Sequence, residues 1–217
     1  MIEMFQISDQ TIEGEEIILP DDGRKVYLGH NVTLVSCRIR FTSKGSENAI
    51  LAKCRFLSCH IFANRPVKKT AWDACQVTEC TFHGRFMENT FGDFMERRAF
   101  DDFQGSIHRC DFTDADMHAC RFFGCDMREM RLPRWPCFTL IDPRKTFDEI
   151  TALHDVPAWL EYWNDIDGEI SRKPRYSVTA TTDNASRLVQ WLRKHGKVEV
   201  TEDDVYRFLK DRENVVM

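Results

Sequence analysis

The residues best able to do chemistry in this sequence are its cysteines, of which there are nine in 217 residues. A thiol can ligate zinc, form a disulfide or act as a nucleophile. Structural zinc sites favour two cysteines separated by two residues, and that spacing never occurs here. Within each cluster the separations are instead multiples of five: Cys54 and Cys59; Cys75 and Cys80; Cys110, Cys120 and Cys125. This spacing predicts that cysteine serves as a small apolar side chain in a crowded interior.

We therefore expect Cys110, Cys120 and Cys125 to be buried, reduced and free of metal. The alternative is a metal site that uses Cys59 and His60 or a similar pair. Cys137 lies outside the regular spacing and His154 follows it, so a thiol and imidazole pair is a further candidate. No local motif supports that pair, and we expect a buried structural cysteine and a surface histidine.

Known catalytic motifs are missing from the sequence. It contains no phosphate loop, no dinucleotide-binding glycine motif, no serine-hydrolase motif and no zinc-protease motif. The sequence therefore predicts a protein that is not an enzyme and that has no catalytic residues, no cofactor and no metal.

The elements that position the cysteines follow from a five-residue step in the apolar residues. One column contains Ile107, Phe112, Met117, Phe122, Met127 and Leu132, and a second column, two residues earlier, contains Gly105, Cys110, Ala115, Cys120, Cys125 and Met130. A period of five fits neither an α-helix nor a flat strand. It predicts a chain that turns after each unit, so that every fifth side chain faces one axis, as in a β-solenoid.

Written in units of five, the stretch CDFTD ADMHA CRFFG CDMRE resembles the pentapeptide-repeat family. The resemblance implies a mainly β fold, a right-handed quadrilateral β-helix, with its strict part from Gly105 to Leu132 and a looser part that reaches back to about Val32. On this basis aspartate at Phe112, Phe122 or Met127 should unfold the protein. Aspartate at the outward positions His118 and Arg121 should be tolerated.

The repeat ends at Pro133 to Pro136, where the composition changes. We expect residues 1–136 to form the solenoid with irregular N-terminal coils and residues 137–217 to form a smaller, mainly helical C-terminal domain. Three helices are predicted there: one around Trp159 to Ile166, one around Leu188 to Leu192, and one that begins with a capping box at Thr201 to Asp204. Residues Tyr176 to Thr181 are predicted as a strand.

The charge pattern suggests where a partner binds. The net charge of −5 gives no broad basic surface, so nucleic acid is not an expected partner. The N-terminus lacks the features of a signal peptide and no stretch could span a membrane, which predicts a cytoplasmic protein. Acidic residues concentrate between Glu88 and Asp116, and the predicted partner-binding positions are Asp93, Glu96, Asp101, Asp102, Asp111, Asp114 and Asp116. The alternative is that these residues form an ordinary solvated surface.

Members of the family that the repeat resembles serve as immunity proteins against toxins, as DNA-mimicking protectors of topoisomerases, and as adaptors. We expect a non-enzymatic protein that binds another protein and neutralises it, such as an immunity protein with a cognate toxin. The alternatives are a DNA mimic that protects a type II topoisomerase and an adaptor or scaffold protein. The oligomeric state, and whether the solenoid or the helical domain makes the contact, stay open at this point.

Overall fold

A computed structural model of the chain describes residues 4–20, 22, 24–42, 49–94, 103–153, 157, 178–195 and 199–217. The fold is mainly β and its larger part is a β-solenoid, as the five-residue step predicted. The solenoid strands are β1 (Met4–Ile7), β2 (Thr11–Glu13), β3 (Glu16–Leu19), β4 (Lys25–Gly29), β5 (Thr33–Val35), β6 (Arg38–Phe41), β7 (Ala49–Ala52), β8 (Cys54–Leu57), β9 (His60–Lys68), β10 (Cys75–Thr78), β11 (Thr81–Met87), β12 (Thr90–Gly92), β13 (Ser106–His108), β14 (Ala115–His118) and β15 (Cys120–Phe123).

Strands that lie one coil apart pair in parallel and build sheets along the rod. The first sheet has the order β1-β4-β7, the second β2-β5-β8-β10-β13 and the third β3-β6-β9-β11-β14, while β12 pairs with β15 in a fourth. Asp111 bridges Arg131, and the separation 131 − 111 = 20 is the length of four five-residue sides. From Gln76 to its partner Ser106 the separation is larger. The additional residues lie between β12 and β13, where the sequence fits the step poorly.

The two columns point inward, as predicted. Ile107, Phe112, Met117 and Phe122 are at most 1% exposed, Met127 is 7% exposed, and Leu132 is half-buried. The second column is buried as well, apart from Cys125, which is half-buried. Register places equivalent residues directly above one another: Leu34, Phe56, Val77 and Ile107 form one inward row through β5, β8, β10 and β13.

Regular pairing begins earlier than the sequence indicated. Met4 pairs with Lys25, Thr11 with Thr33 and Glu16 with Arg38, so β1 to β3 already form a coil in register with the next one. The sequence placed irregular coils here and began the looser repeat near Val32. In this first coil Ile7, Ile12 and Ile17 already follow the five-residue step and pack in the solenoid core, but the positions two residues earlier, Phe5, Gln10 and Glu15, lack the small apolar residues of the second column.

Most of the cysteines occupy small inward positions where the thiol can donate to a carbonyl of the preceding coil. The Sγ atoms of Cys37, Cys54 and Cys59 lie 3.3, 3.0 and 3.2 Å from the carbonyl oxygens of Ile12, Leu28 and Leu34. All nine cysteines are described and all are free thiols. Burial raises the pKa of Cys120 and of Cys125 to about 12, which keeps both as neutral thiols near pH 7.

The structure separates Cys59 from His60. Cys59 is 1% exposed and faces the interior, whereas His60 is exposed and its Nδ1 atom lies 2.7 Å from Oγ1 of Thr81. Neighbouring residues of a strand face opposite sides, so these two cannot ligate one ion. Among the described residues, no group of three His, Cys, Asp or Glu side chains could hold a metal.

Close approach between coils explains why one inward position is glycine. A Cβ atom on Gly105 would lie 1.9 Å from the carbonyl oxygen of Asp73 and 2.6 Å from that of Gly92. No side chain fits at that separation, so the second column, which holds larger residues at its other positions, requires glycine here.

Asn89 is a polar residue at an inward position of the second column. Asn89 is fully buried, and its Nδ2 donates to the carbonyl oxygens of Val67 and Met87 at 2.9 and 3.0 Å. Its Oδ1 accepts from the backbone N–H of Thr70 at 3.2 Å and from the indole Nε1 of Trp72 at 3.3 Å. All donors and acceptors of this amide are satisfied, so Asn89 fixes the buried Trp72 ring.

The rings stack through the middle of the rod. Phe82 lies on Phe112 with ring centroids 4.4 Å apart, and Phe91 lies on Phe122 at 5.2 Å. Such offset stacks add about 0.5–1.5 kcal/mol each beyond the area they bury.

The C-terminal region contains the α-helices, as predicted, and combines them with strands. Its elements are β16 (Cys137–Ile141), α1 (Pro143–Thr151), β17 (Val178–Asn184), α2 (Ala185–Lys194), α3 (Glu202–Leu209) and β18 (Val215–Val216). The helix around Leu188 and the capping box at Thr201 are confirmed. Of the predicted strand Tyr176 to Thr181, the described part is β17, which begins at Val178. The helix predicted around Trp159 lies outside the described residues, as does His154.

β17 joins the two parts of the chain. It pairs antiparallel with β15 of the solenoid on one side and with β16 on the other, so it covers the last coil. A second hydrophobic core, separate from that of the solenoid, forms between this sheet and the helices, with Phe138, Phe147, Leu188, Leu192 and Val205 at its centre. No helix in the described ranges is both long and apolar enough to cross a membrane.

The contacts of β17 contradict the expectation that aspartate is tolerated at His118 and Arg121. Both point outward from the coil, as predicted, but β17 lies over them: Arg121 pairs with Thr181, and the His118 ring contacts the buried carboxylate of Asp183. Aspartate at position 118 would place a second carboxylate against Asp183, which is 2% exposed. Outward positions tolerate such a substitution only where no later strand covers them.

Two adjacent residues of β8 test which side of the strand faces the core. Phe56 is fully buried and Arg55 is exposed beside Thr33 and Gln76, neither of which is acidic. We expect Phe56→Asp to unfold the protein, because a cavity worth about 3–5 kcal/mol combines with a buried unpaired charge. Arg55→Asp should remain folded, with a melting temperature close to wild type by circular dichroism. Equal behaviour of the two variants would contradict the assignment.

Removing the buried amide tests the role of Asn89. Asn89→Ala leaves the N–H groups of Thr70 and Trp72 without acceptors, so we expect the free energy of unfolding to fall by about 2–4 kcal/mol. Thr78→Ala, at a half-buried position, should change it by less than about 0.5 kcal/mol. Urea denaturation measures both, and a loss below about 1 kcal/mol for Asn89→Ala would show that water replaces the amide.

Candidate functional site

The outward side chains of the third sheet form rows because the strands are in register. Ile18, Arg40 and Phe62 occupy one row, and His83 continues it. Glu16, Arg38, His60 and Thr81 occupy the row beside it. We refer to Arg38, Arg40, His60, Phe62 and His83 as the stacked face.

The central side chains of the stacked face lie on one another. The guanidinium carbon of Arg40 lies 4.9 Å from the centroid of the Phe62 ring. The Phe62 ring stacks on the His83 ring at 4.8 Å with an interplanar angle of 13°. Ile18 extends the row toward the N-terminus and is the most exposed of the large hydrophobic residues in the described ranges, at 55%. The row therefore presents a cation, two rings and an aliphatic side chain that packing already holds in place.

Hydrogen bonds fix the remaining groups of this surface. Nε of Arg40 donates to Oε1 of Glu16 at 2.5 Å. His83 contacts Oγ1 of Thr81 at 3.2 Å through Nε2 and Oδ2 of Asp114 at 3.3 Å through Nδ1. Arg38 is exposed, and its side chain makes no ion pair or hydrogen bond within the described part of the chain. Within that part, a charged group thus lies uncompensated beside an ordered aromatic stack.

Four of the seven predicted acidic positions are described. Asp114 is the most exposed of them, with 71% of its side chain accessible beside His83. Asp93 is half-buried and accepts from Nε2 of Gln104 at 2.7 Å. Glu96, Asp101 and Asp102 lie outside the described residues, so they remain predictions.

Asp111 is held by its own coil and by the next one. Burial alone would raise its pKa, but hydrogen bonds from Thr113 and the charge of Arg131 outweigh burial and lower the pKa. The backbone N–H of Thr113 lies 2.9 Å from Oδ1, and Nη1 of Arg131 lies 3.4 Å from Oδ2. This carboxylate therefore has internal partners.

Asp116 connects the solenoid to the C-terminal unit. Its Oδ2 accepts from Nη2 of Arg187 at 2.7 Å and from Nε of Arg85 at 3.0 Å, and its Oδ1 accepts from Nδ2 of Asn184 at 2.8 Å. Asn184 is also the N-cap of α2, where its side chain accepts from the backbone N–H of Arg187. Burial would raise the pKa of Asp116, but the two arginines outweigh burial and hold that pKa below its usual value. In the structure, this acidic residue attaches β17 and α2 to β14.

The sequence did not reveal the stacked face. The residues Ile18, Arg40, Phe62 and His83 follow one another at intervals of one whole coil, since each belongs to the next strand of the third sheet. A search for residues that repeat every five positions cannot find them, because outward positions accept any residue type. The detectable signal is a step of one whole coil, which needs the coil length in advance.

No protein family matches this chain, and comparisons with curated proteins and with solved structures also found no match.

The pH dependence of the free energy of unfolding tests the interactions that Asp116 makes with Arg85, Arg187 and Asn184. The folded-state pKa of Asp116 is below the unfolded-state value, so its stabilising contribution is present at neutral pH and is lost as the pH falls below about 4. We expect Asp116→Asn to unfold more easily at pH 7, by about 1–3 kcal/mol, with a smaller difference from wild type near pH 2–3. Urea denaturation across this pH range measures it.

Hydrogen exchange at pH 7 locates the effect. Amides of β17 and α2 should exchange faster in Asp116→Asn, while those of β8 and β10 keep the wild-type rate. Asp114→Asn, two residues away and largely exposed, is the matched control. Equal exchange of β17 in all three proteins would mean that Asp116 does not attach the C-terminal unit.

Proposed function

We propose that this chain is a non-catalytic binding protein that holds a protein partner against its solenoid. The observation that carries the proposal is the stacked face, where Arg40, Phe62 and His83 form a partly exposed stack beside the exposed Arg38. Arginine and aromatic residues dominate the binding energy of protein interfaces. Side chains that are already ordered lose little conformational entropy when a partner covers them, which favours tight binding.

The repeat supports a more specific proposal for the solenoid, namely that it belongs to the pentapeptide-repeat type and is a right-handed, four-sided coil. One supporting observation is the bridge between Asp111 and Arg131, which spaces these residues by a multiple of the five-residue step. Another is the pair of inward columns, one of small and one of large residues. The cytoplasm is the compartment that we propose, because nine free cysteines persist as thiols in a reducing environment.

Neutralisation of the partner is the role that we propose for this binding. A rigid rod with stacked side chains covers a surface without changing shape, which suits a protein that blocks another one, such as an immunity protein bound to a toxin. DNA mimicry to protect a topoisomerase is a weaker candidate, because Arg38, Arg40 and Arg55 interrupt any continuous negative surface along adjoining faces. An adaptor role would use the same face but would leave the partner active.

Two matched double variants test the proposal. The partner is captured from the native host with wild-type protein, identified by mass spectrometry, purified, and titrated by calorimetry. Arg40→Ser with Phe62→Ser should weaken binding by at least about 30-fold, since interface residues of this kind contribute about 2 kcal/mol or more. Arg55→Ser with Leu57→Ser, outward on the neighbouring sheet, should bind as wild type does.

The neutralising role has its own readout. Wild type and the Arg55/Leu57 variant should suppress the activity of the purified partner, and the Arg40/Phe62 variant should not. Circular dichroism confirms that each variant is folded. Equal affinity of the two double variants would exclude the stacked face as the binding site, and a bound partner that stays fully active would exclude neutralisation.

A further inference from the structure

The stacked face has a charge pattern that selects among partners. Its middle holds Arg38 and Arg40 together with His60 and His83, whereas acidic residues stand at the two ends: Glu16 one coil earlier, and Asp111 and Asp114 one coil later. A carboxylate can therefore approach the centre, and a long run of negative charge would meet carboxylates at both ends. The complementary partner segment is short, and its acidic groups lie opposite the two arginines.

Both arginines can bind a carboxylate of the partner. Arg38 has no ion pair among the described residues, and it projects two residues from Arg40 on the same strand. Arg40 uses Nε to bind Glu16, and the hydrogen bonds described for its side chain leave both terminal nitrogens available. Its guanidinium group lies over the Phe62 ring, on which His83 also stacks, so a carboxylate would bind the edge of the guanidinium group while an apolar group contacts the outer edge of the ring.

The spacing of the rows indicates the shape of that segment. Successive coils are about 4.8 Å apart, so the four coils from Ile18 to His83 span about 14 Å. Three turns of an α-helix advance about 16 Å, at about 5.4 Å per turn. Alternate residues of an extended strand are about 6.6 Å apart, so three such steps cover about 20 Å and lose register. Over this length, three turns of a helix that lies along the solenoid axis differ from three coil spacings by only about 2 Å, so its side chains stay opposite the rows.

We infer that the stacked face binds an acidic amphipathic helix of the partner, which lies along the solenoid axis. Carboxylates in one turn of the helix pair with Arg38 and Arg40, which lie on the same strand, and apolar residues one turn before and one turn after them pack on Ile18 and Phe62. This inference rests on the proposed function and adds the chemistry and the shape of the bound segment. Single-stranded nucleic acid, which also stacks on aromatic and arginine side chains, is the competing occupant.

The test uses the full-length protein and three probes. The first is a synthetic helical peptide of about 18 residues with two Glu residues in its central turn and Leu one turn before and one turn after them. The second peptide has Lys at each Glu position, and the third probe is a thymidine oligonucleotide of about 12 residues. Binding is followed by NMR of isotope-labelled protein and by fluorescence anisotropy at about 25 and 200 mM salt.

We expect the Glu peptide to bind at least about tenfold more tightly than the Lys peptide, and less tightly at the higher salt. Shifted resonances should be confined to β3, β6, β9 and β11. The double variant Arg38→Gln with Arg40→Gln should bind the Glu peptide at least about tenfold more weakly than wild type does. Arg55→Gln, which changes an arginine on the neighbouring sheet, should leave the affinity unchanged. No binding by the Glu peptide, equal binding of the Lys peptide, or tighter binding of the oligonucleotide overturns the inference.

Failure of the inference can be distinguished from failure of the proposed function. If the captured partner is lost from the Arg40/Phe62 serine variant but binds the Arg38/Arg40 glutamine variant with unchanged affinity, the face binds a protein through Phe62 and the acidic helix is wrong. If the captured partner binds both variants as it binds wild type, the stacked face is not the site, and the proposed function fails with it.

Discussion

Parallel register between coils is the constraint on which the rest of this structure depends. Each inward side chain must fit against the residue one coil earlier, as Phe56 fits between Leu34 and Val77. Because the coils lie about 4.8 Å apart, there is no room to correct a poor fit by moving a strand. The second column accordingly holds mainly small residues such as cysteine and alanine, and it holds glycine where Gly105 approaches two carbonyl oxygens. The buried Asn89 is accepted in that column because every polar atom of its amide is paired.

Parallel register leaves the residue type at outward positions unrestricted and aligns these positions from one coil to the next. An outward residue has little influence on the fold, but register places it beside the outward residue of the next coil. Arg40, Phe62 and His83 become a stack for this reason, although a whole coil of sequence separates each of them from the next. The scaffold therefore orders side chains that would be mobile on a loop, and this ordering makes the third sheet the best candidate for recognition.

A stack of parallel strands also has ends that must be covered. At the C-terminal end, β17 reverses direction and pairs antiparallel with β15, which satisfies the last edge. Asp116 then binds Arg187 and Asn184, so the return strand and its helix are attached to β14 by charge as well as by pairing. The acidic residues of this stretch consequently divide into two groups. Asp111 and Asp116 have internal partners, and Asp114 stands exposed at the border of the stacked face.

The sequence by itself determined the solenoid and its interior, because inward positions repeat at a fixed step and only apolar or small residues satisfy them. Ile107, Phe112, Met117 and Phe122 could be assigned to the core from spacing alone. It also determined the start of the last helix, where Thr201 forms a capping box with Asp204. Only the tertiary structure decided which outward residues meet, since this depends on the coil length, which grows where an insertion lies between β12 and β13. Only it showed that β17 covers His118 and Arg121, because a strand that returns from much later in the chain leaves no periodic signal at the positions it covers.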